Sequence, residues 1–499
     1  MTSLTFYGGV HEIGGNKFLI EDRGTRLFLD FGMQMGKYNQ YFAEFVNPRS
    51  CNALGDLFEF EMLPKLKGLY RRDYAKHMDF DGDEDTEFHA VLLSHAHVDH
   101  SAYIHYLRPD IPIYCSEATK FIMQALQDTG GGCDQYIVCS ESFQMYKNKK
   151  GEVCRGRGEK YQRPRKIITF ENLKKFNIDS IEVEPIAIDH SLPGVCGFIL
   201  HTSNGSIGYT ADIRFHGRRE SDTKGFVEKC KNSDIKLLLC EGTRVNENFS
   251  KTELDVEEDI KTLTKQTRGL IICTYPRRDL DRLQSFYNAA KACDRNLVID
   301  LKQAYLLKLF QTSDSLKELY PKPDDKNIKI YIPRKLWGLL YKDINLWTKR
   351  QLLADYESWE EEFLNYPNKI DGRDVHAHQN ELIFYCNDFQ LQQLIDIGPD
   401  KQMSNYIRSS TEPFDEEMEL DESRVKRWLV HFGLLADENS QWYQTHVSGH
   451  GSGDQIRKII EESEPVALIP IHTEHEEYHK KWHKNVIQIH ANGGSTELH

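Results

Sequence analysis

Six stretches of this chain share one design, an apolar or alternating run that ends in a histidine, an aspartate or a glutamate. TRLFLDFG ends at Asp30, and HAVLLSHAHVDH runs into His95, His97, Asp99 and His100. SIEVEPIAIDHSLPG reaches His190, GSIGYTADIR reaches Asp212, IKLLLCEGTR reaches Glu241 and EPVALIPIHTEH reaches His472. Runs of this length and alternation predict strands. Groups at or just past strand ends can converge from loops while the sheet beneath them stays rigid. The pattern therefore predicts an α/β fold whose strands deliver polar side chains to one edge.

The densest of these segments is SHAHVDHS, residues 94–101, directly after the strand read over 90–93. Four proton-active groups so close together are costly to bury unless a positive charge lies between them. Imidazole and carboxylate are good ligands for zinc and related divalent ions. Alternate side chains of an extended segment share a face, so His95 and His97 can reach one ion. Asp99 and His100 follow where the chain turns into a helix and can point to a second. Such a pair of ions activates water and steadies phosphoryl and leaving-group oxygens. A single histidine carries no such weight, and His216, His376, His378 and His479 are read as ordinary surface or core residues.

The 499 residues exceed one ordinary core, so two or more domains are expected. From about 245 to 440 amphipathic helical stretches such as TELDVEEDIKTLTKQ and DLDRLQSFYNAAKAC alternate with strands such as GLIICTYP, RNLVID, NIKIYIP and ELIFYCND. Histidine-bearing loops then return in WYQTHVSGHGSGDQIRKII. The first domain is thus expected to be discontinuous, 1–244 with 441–499, around an inserted α/β domain at 245–440. Residues of about 34–88 and 130–170 read as surface elaborations.

No apolar run is long enough to span a bilayer, and the N-terminus lacks an export signal. Eleven cysteines without a CxxC pair predict free thiols in a reducing compartment, hence a cytoplasmic protein. The net charge of −14 argues against bulk electrostatic attraction to nucleic acid. The stretch Lys147–Lys166 departs from that balance, with nine Lys/Arg against two Glu. It reads either as a solvated loop or as a phosphate-attracting flap.

HVSGHGSGDQIRKII places small residues before an amphipathic helix with Ile456, Ile459 and Ile460 on its apolar face. Backbone N–H groups at a helix start bind phosphate. Across His446–Ser452, Ser448 and Gly449 would let a phosphodiester approach, and His450 could bond it or protonate a leaving oxygen. A glycine-rich turn without a ligand is the plainer alternative.

HxHxDH after a buried strand resembles the metallo-β-lactamase superfamily. The segment HVSGHGSGDQIRKIIEESEPVALIPIHTEH is similar to its β-CASP branch, and within that to the ribonuclease J type, as is the opening YGGVHEIGGNKFLI. The likeness runs from residue 5 to about 475, with gaps at the two elaborations. It implies an αββα sandwich carrying an inserted α/β β-CASP domain, and two divalent ions, zinc or alternatively manganese. By matching position, His95, His97 and His190 would bind one ion, Asp99, His100 and His472 the other, and Asp212 would bridge them. Asp30 would brace the ligand loop. Glu241, His450 and His472 match the branch's three further motifs, and Asp99, Asp212, His450 and Glu241 would form the catalytic set. In CTYPRRDLDRLQSF, Arg282 matches a phosphate-contacting arginine, although the family's small polar turn residues are replaced by PRRD.

The function implied is a nuclease that hydrolyses RNA, single-stranded above all, by a two-metal hydroxide mechanism. Asp99 would also accept a proton, and the RNA would lie between the two domains. Cutting would run from a 5′ end, within the chain, or both. His472 points to RNA, since several DNA-processing members carry valine there. The alternatives are a DNA-cleaving nuclease of the same fold in repair or defence, a small-substrate metallo-hydrolase, and a non-catalytic binding subunit. With 27 residues (499 − 472) after His472, the C-terminal dimer-contact domain of bacterial members is not expected, leaving monomer and homodimer open.

Overall fold

The computed structural model describes residues 1–498 apart from 43–44, 50–52, 76–77, 79–84, 131–134, 142–144, 157–158, 337, 339–350, 352–353, 414–415 and 491–492. Parts of both elaborations, including Arg157 of the basic stretch, fall outside the described residues.

The chain forms two compact units. The first comprises Met1–Phe215, Arg219–Phe249 and Gly449–His499, and the second comprises His216–Arg218 and Ser250–Ser448. The second unit thus runs a few residues beyond the 245–440 span read from the sequence and takes in a tripeptide upstream of it.

Two sheets build the first unit. One has seven strands in the order Ile167–Thr169, Ile113–Cys115, Ala90–Leu92, Thr25–Leu29, Phe18–Asp22, Thr2–Phe6 and Gly494–Leu498. The other has six, in the order Phe176–Ile178, Ile181–Ala187, Cys196–Thr202, Gly205–Tyr209, Ile235–Glu241 and Ala467–Ile471. Ala90–Leu92 is buried throughout and pairs in parallel on both sides, which is why it reads as an unbroken apolar run rather than an alternating one. Aromatic side chains join the inner faces, with Phe18 against Tyr209 at 5.9 Å and Phe170 against Phe198 at 5.8 Å.

Helices cover the outsides. Glu220–Asn232 buries Phe226, Val227 and Cys230, and Gly453–Ser463 buries Ile456, Ile459 and Ile460. These two helices pack on the six-stranded sheet and on each other, while Glu117–Thr129 packs beside the strand Ile167–Thr169. The result is the αββα sandwich of a metallo-β-lactamase-like fold.

In the second unit a seven-stranded, wholly parallel sheet runs Lys369–Ile370, Ile328–Tyr331, Asn296–Ile299, Leu382–Tyr385, Ile271–Thr274, Asn405–Arg408 and Tyr443–Gln444. Helices Glu253–Gln266 and Leu280–Ala292 begin at Thr252 and Asp279, whose side chains accept the N–H of Asp255 and Arg282. Such caps explain where these helices start. Among the described residues, no helix is long and apolar enough to cross a membrane, and the nine described cysteines are free.

Candidate metal centre

The strand ends of the first unit place their polar residues close together. Asp30 follows Leu29, His95 lies three residues past Leu92, and His190 three past Ala187. Asp212 lies three past Tyr209, Glu241 closes its own strand, and His472 follows Ile471. Asp30, Ala211 and His472 adopt left-handed backbone with φ of 55°, 48° and 51°. That conformation costs energy for non-glycine residues and marks positions held by their surroundings.

Ligand atoms meet in two sets that share Asp212. In the first, His97 Nδ1 lies 3.0 Å from His95 Nε2 and 3.1 Å from His190 Nε2, and Asp212 Oδ2 lies 3.5 and 3.7 Å from those same two ring nitrogens. In the second, Asp99 Oδ2 lies 3.0 Å from His472 Nε2 and 3.7 Å from His100 Nε2. His100 Nε2 is 3.2 Å from Asp212 Oδ2, and His472 Nε2 is 3.8 Å from Asp212 Oδ1. Ligands placed tetrahedrally at 2.0–2.1 Å from an ion stand about 3.3–3.4 Å apart, so both sets have the right span for a cation.

The hydrogen bonds around the rings support the same conclusion. Ser94 Oγ donates to Asp30 Oδ2 at 2.8 Å, so it accepts from His95 Nδ1 at 2.9 Å. His100 Nδ1 donates to Asp30 Oδ2 at 2.7 Å, and His190 Nδ1 to the Gly449 carbonyl at 2.5 Å. Thr243 Oγ1 donates to Glu241 Oε2 at 2.8 Å and accepts from His472 Nδ1 at 2.8 Å. In each neutral ring the proton is therefore on Nδ1, and the Nε2 lone pair points into the cluster. The buried His100 Nε2 and Asp212 Oδ1 have no hydrogen-bond partner. Converging lone pairs and an orphaned carboxylate oxygen fit a bound cation.

The charge balance agrees. Burial holds His95 and His190 far below the ordinary histidine range, with His100 adding to the effect at His95. They are thus neutral, the form that binds metal. Burial opposes charge on His100 as well, but Asp212, Asp99 and Asp30 outweigh it and hold the ring protonated in the protein alone. The Asp99 and Asp212 carboxyls are pulled below their usual range against burial, Asp99 by His100 and His472 and Asp212 by His100, His472 and His450. Protons on histidine thus balance carboxylates where a metal ion would do so. The cluster opens to solvent at Asp99 and His450, whose side chains are 18% and 20% exposed.

Asp30 lies behind the ligands, taking the Ser94 backbone N–H at 2.7 Å and the Tyr209 hydroxyl at 2.6 Å. Glu241 accepts from His450 Nδ1 at 3.0 Å and from the Ile213 N–H at 2.7 Å. Burial works against charge on His450, but Glu241 and then Asp212 raise it to about 9. Asp212, Glu241, His450 and His472 themselves form a third group spaced for a cation.

The residues expected to touch phosphate are arranged differently from the sequence reading. Gly449 matters for its carbonyl, and a Cβ there would come within 2.7 Å of the His190 ring. Ser448 and His446 belong to the second unit, where the Ser448 carbonyl bonds His216 Nε2 at 2.8 Å. Arg282 is a correction. Its side chain is wholly buried, paired with Glu253 at 2.7 and 3.0 Å, donating to Ser409 Oγ at 2.7 Å and to His446 Nδ1 at 3.1 Å. It braces the inserted unit and presents no face to a phosphate.

Ser94, Tyr209 and Thr243 were missed in the sequence because each acts as a single hydroxyl with no spacing signature. His376, His378 and His479 bond backbone carbonyls of Ile397, Asp374 and Glu241, as ordinary histidines do.

No family model matches the chain. It is 24% identical over 302 residues to "Ribonuclease J" of Mycolicibacterium smegmatis, covering 59% of this chain and 43% of that protein. It is 20% identical over 491 residues to "Ribonuclease J" of Mycoplasma genitalium, covering 95% of this chain and 68% of that one. A third "Ribonuclease J", from Pyrococcus abyssi, is 24% identical over 316 residues, 60% of this chain and 58% of that protein. The chain thus spans between 43% and 68% of these relatives' lengths. A solved structure of a protein of unknown function from Enterococcus faecalis V583 superposes with a TM-score of 0.69 at 22% identity, covering 99% of both chains.

Proposed function

We propose that the chain, which is similar to ribonuclease J proteins at 20–24% identity, is a metal-dependent ribonuclease that hydrolyses phosphodiester bonds of single-stranded RNA. The observation that carries this reading is the set of four histidine Nε2 atoms aimed around Asp212 by Ser94, Asp30, Gly449 and Thr243. The names of the relatives support RNA as the substrate.

The proposed cofactors are two divalent cations, zinc or alternatively manganese. His95, His97 and His190 would hold one, Asp99, His100 and His472 the other, with Asp212 serving both. Bound there, such ions would lower the pKa of a water, polarise a phosphoryl oxygen and offset charge on the departing oxygen.

The chain's own residues supply the rest. Asp99, at the open side of the cluster, is placed to accept the proton released as the P–O bond to water forms. His450, held by Glu241, carries a proton on Nε2 that it can give to the departing oxygen. Buried Asp30 and Glu241 orient histidines instead of touching substrate.

The test is digestion of end-labelled RNA by purified protein, with chelator and with zinc or manganese added back. The expected result is metal-restored shortening of the RNA, which His97→Ala abolishes together with metal content. Matched DNA cut as well as RNA would transfer the reading to DNA. Cleavage that persists in His97→Ala while metal content falls would end it.

A further inference from the structure

The basic stretch is a built feature of the first unit. Val138–Ser140 pairs antiparallel with Gln162–Pro164, and beyond them Met145–Lys147 pairs with Val153–Arg155. Every residue of Met145–Lys147 is exposed, as are Val153 and Arg155. An isolated two-stranded hairpin with no buried apolar face is only marginally stable, so a use other than core packing is implied.

The root of this arm is fixed. Arg165, one of the nine cations in the stretch, is buried and donates to the carbonyls of Leu107 and Arg108 at 3.1 and 3.2 Å and of His105 and Gln135 at 3.4 Å. The next residues, Ile167–Thr169, join the edge of the seven-stranded sheet beside Ile113–Cys115.

Outward from that root, Lys147, Lys149, Lys150, Arg155, Lys160, Arg163 and Lys166 are all exposed. Among the described residues, Arg163 alone of these has a carboxylate within 4 Å, Glu141 at 3.2 Å. Lys160 Nζ lies 5.3 Å from the Tyr146 ring centroid and 4.7 Å from that of Tyr161. The chain's net −14 includes +7 from this stretch, which leaves −21 on the remainder. The positive field is thus concentrated on an arm of an otherwise acidic protein.

We propose that the exposed cations and tyrosines of residues 145–156 and 160–166 form an accessory binding surface for single-stranded RNA, separate from the metal centre. Flexible lysines interleaved with tyrosine rings suit a polyanion whose bases can stack, irrespective of sequence. An acidic protein partner would call for bidentate arginines and aliphatic anchors. Position also matters. Ile167–Thr169 and Ala90–Leu92 both run parallel to Ile113–Cys115. The arm enters at the N-terminal end of the first, and the His95 loop leaves the C-terminal end of the second. The arm therefore holds a part of the strand remote from the phosphate being cut, so only long substrates use it. This rests on the RNA reading above.

The test is the variant Lys147→Gln/Lys149→Gln/Lys150→Gln/Arg155→Gln, with Tyr146→Ala as a second variant, in metal-loaded protein. Binding of hydrolysis-resistant RNA of about 30 nucleotides, longer than a typical 4–16-nucleotide site, is measured across salt. In the fourfold variant the affinity falls about tenfold or more, and the slope of log K against log salt shrinks by about 3, near 0.7 per lost phosphate contact. KM for the long RNA rises with kcat unchanged, trinucleotide cleavage is unaffected, and Tyr146→Ala weakens binding without changing the slope. Unchanged affinity and slope in the fourfold variant would overturn the proposal, with the nuclease reading intact. Lost binding to anionic vesicles with RNA binding retained would overturn it in favour of a membrane surface. Arm-dependent RNA binding by a protein that never cuts RNA would uphold it and refute the nuclease reading.

Discussion

Substituting alanine at Gly32 tests the ligand loop by steric means alone. A Cβ on Gly32 would lie 1.7 Å from the Asp99 carbonyl oxygen, 2.1 Å from its carbon and 2.5 Å from the His100 nitrogen. Real Cβ contacts essentially never fall under 3.0 Å, so the groups must separate by at least 1.3 Å, the difference between 3.0 and 1.7 Å. The obstruction is backbone, which cannot rotate away. It is tied down on the other side too, since the Asp99 carbonyl takes the N–H groups of Gly15 and Asn16 at 3.0 and 3.2 Å. Metal sites tolerate about 0.2 Å of misplacement, so Asp99 and His100 would leave their positions while His95, His97 and His190 keep theirs. Gly32→Ala should hold about half the wild-type metal by elemental analysis and cleave RNA about a hundredfold or more slowly. Its unfolding free energy should drop by about 1–3 kcal/mol. Gly225→Ala, inside the helix Glu220–Asn232 with nothing within 4 Å of the added Cβ, is the control and should match wild type in metal content and rate while gaining about 0.5–1 kcal/mol in stability. Gly32→Ala with full metal content and wild-type rate would refute the placement of Asp99 and His100 as ligands.

Three further outcomes follow from the same geometry. Thr243→Val removes the hydroxyl between Glu241 and His472 and should weaken metal affinity or activity about 10–100-fold with the fold intact. Wild-type metal titration in this variant would show that Thr243 does not orient His472. Arg282→Ala leaves buried Glu253 without its cation and should cost about 3–5 kcal/mol in unfolding experiments, whereas a phosphate contact would raise KM at unchanged stability. Burial holds buried Lys17, whose ammonium donates to the Gly15 and Gly32 carbonyls, down to about 7, with Glu12 offsetting only part of the shift. Between pH 7 and 10.5 the unfolded chain keeps a proton there that the folded chain lacks, so stability rises with pH. The wild-type advantage over Lys17→Met in unfolding free energy should therefore grow from pH 7 to about 9, and a constant difference would contradict it.

Much of the site was legible because apolar runs that stop at a histidine or carboxylate leave a pattern in one dimension. His95, His190, Asp212 and His472 announced themselves in that way, and so did Asp30 behind them. The bracing hydroxyls did not, because Ser94, Thr243 and Tyr209 acquire meaning only through partners far along the chain. Arg282 misled for the same reason. Its partner Glu253 lies 29 residues away, and helix capping, strand packing and burial together turn an apparent surface cation into an internal brace. Arg165 repeats the lesson within the basic stretch, where composition alone could not separate one buried guanidinium from seven exposed cations. In the fold, long helices and buried strands were readable. Short edge strands such as Lys369–Ile370 and Tyr443–Gln444 were not, since two residues carry no period.

Anomalous diffraction from crystals grown with zinc or manganese addresses the central claim most directly. The account predicts two peaks, one bounded by His95, His97 and His190, the other by Asp99, His100 and His472, with the Asp212 carboxylate reaching both. Peaks elsewhere, or none within that ring of side chains, would contradict it.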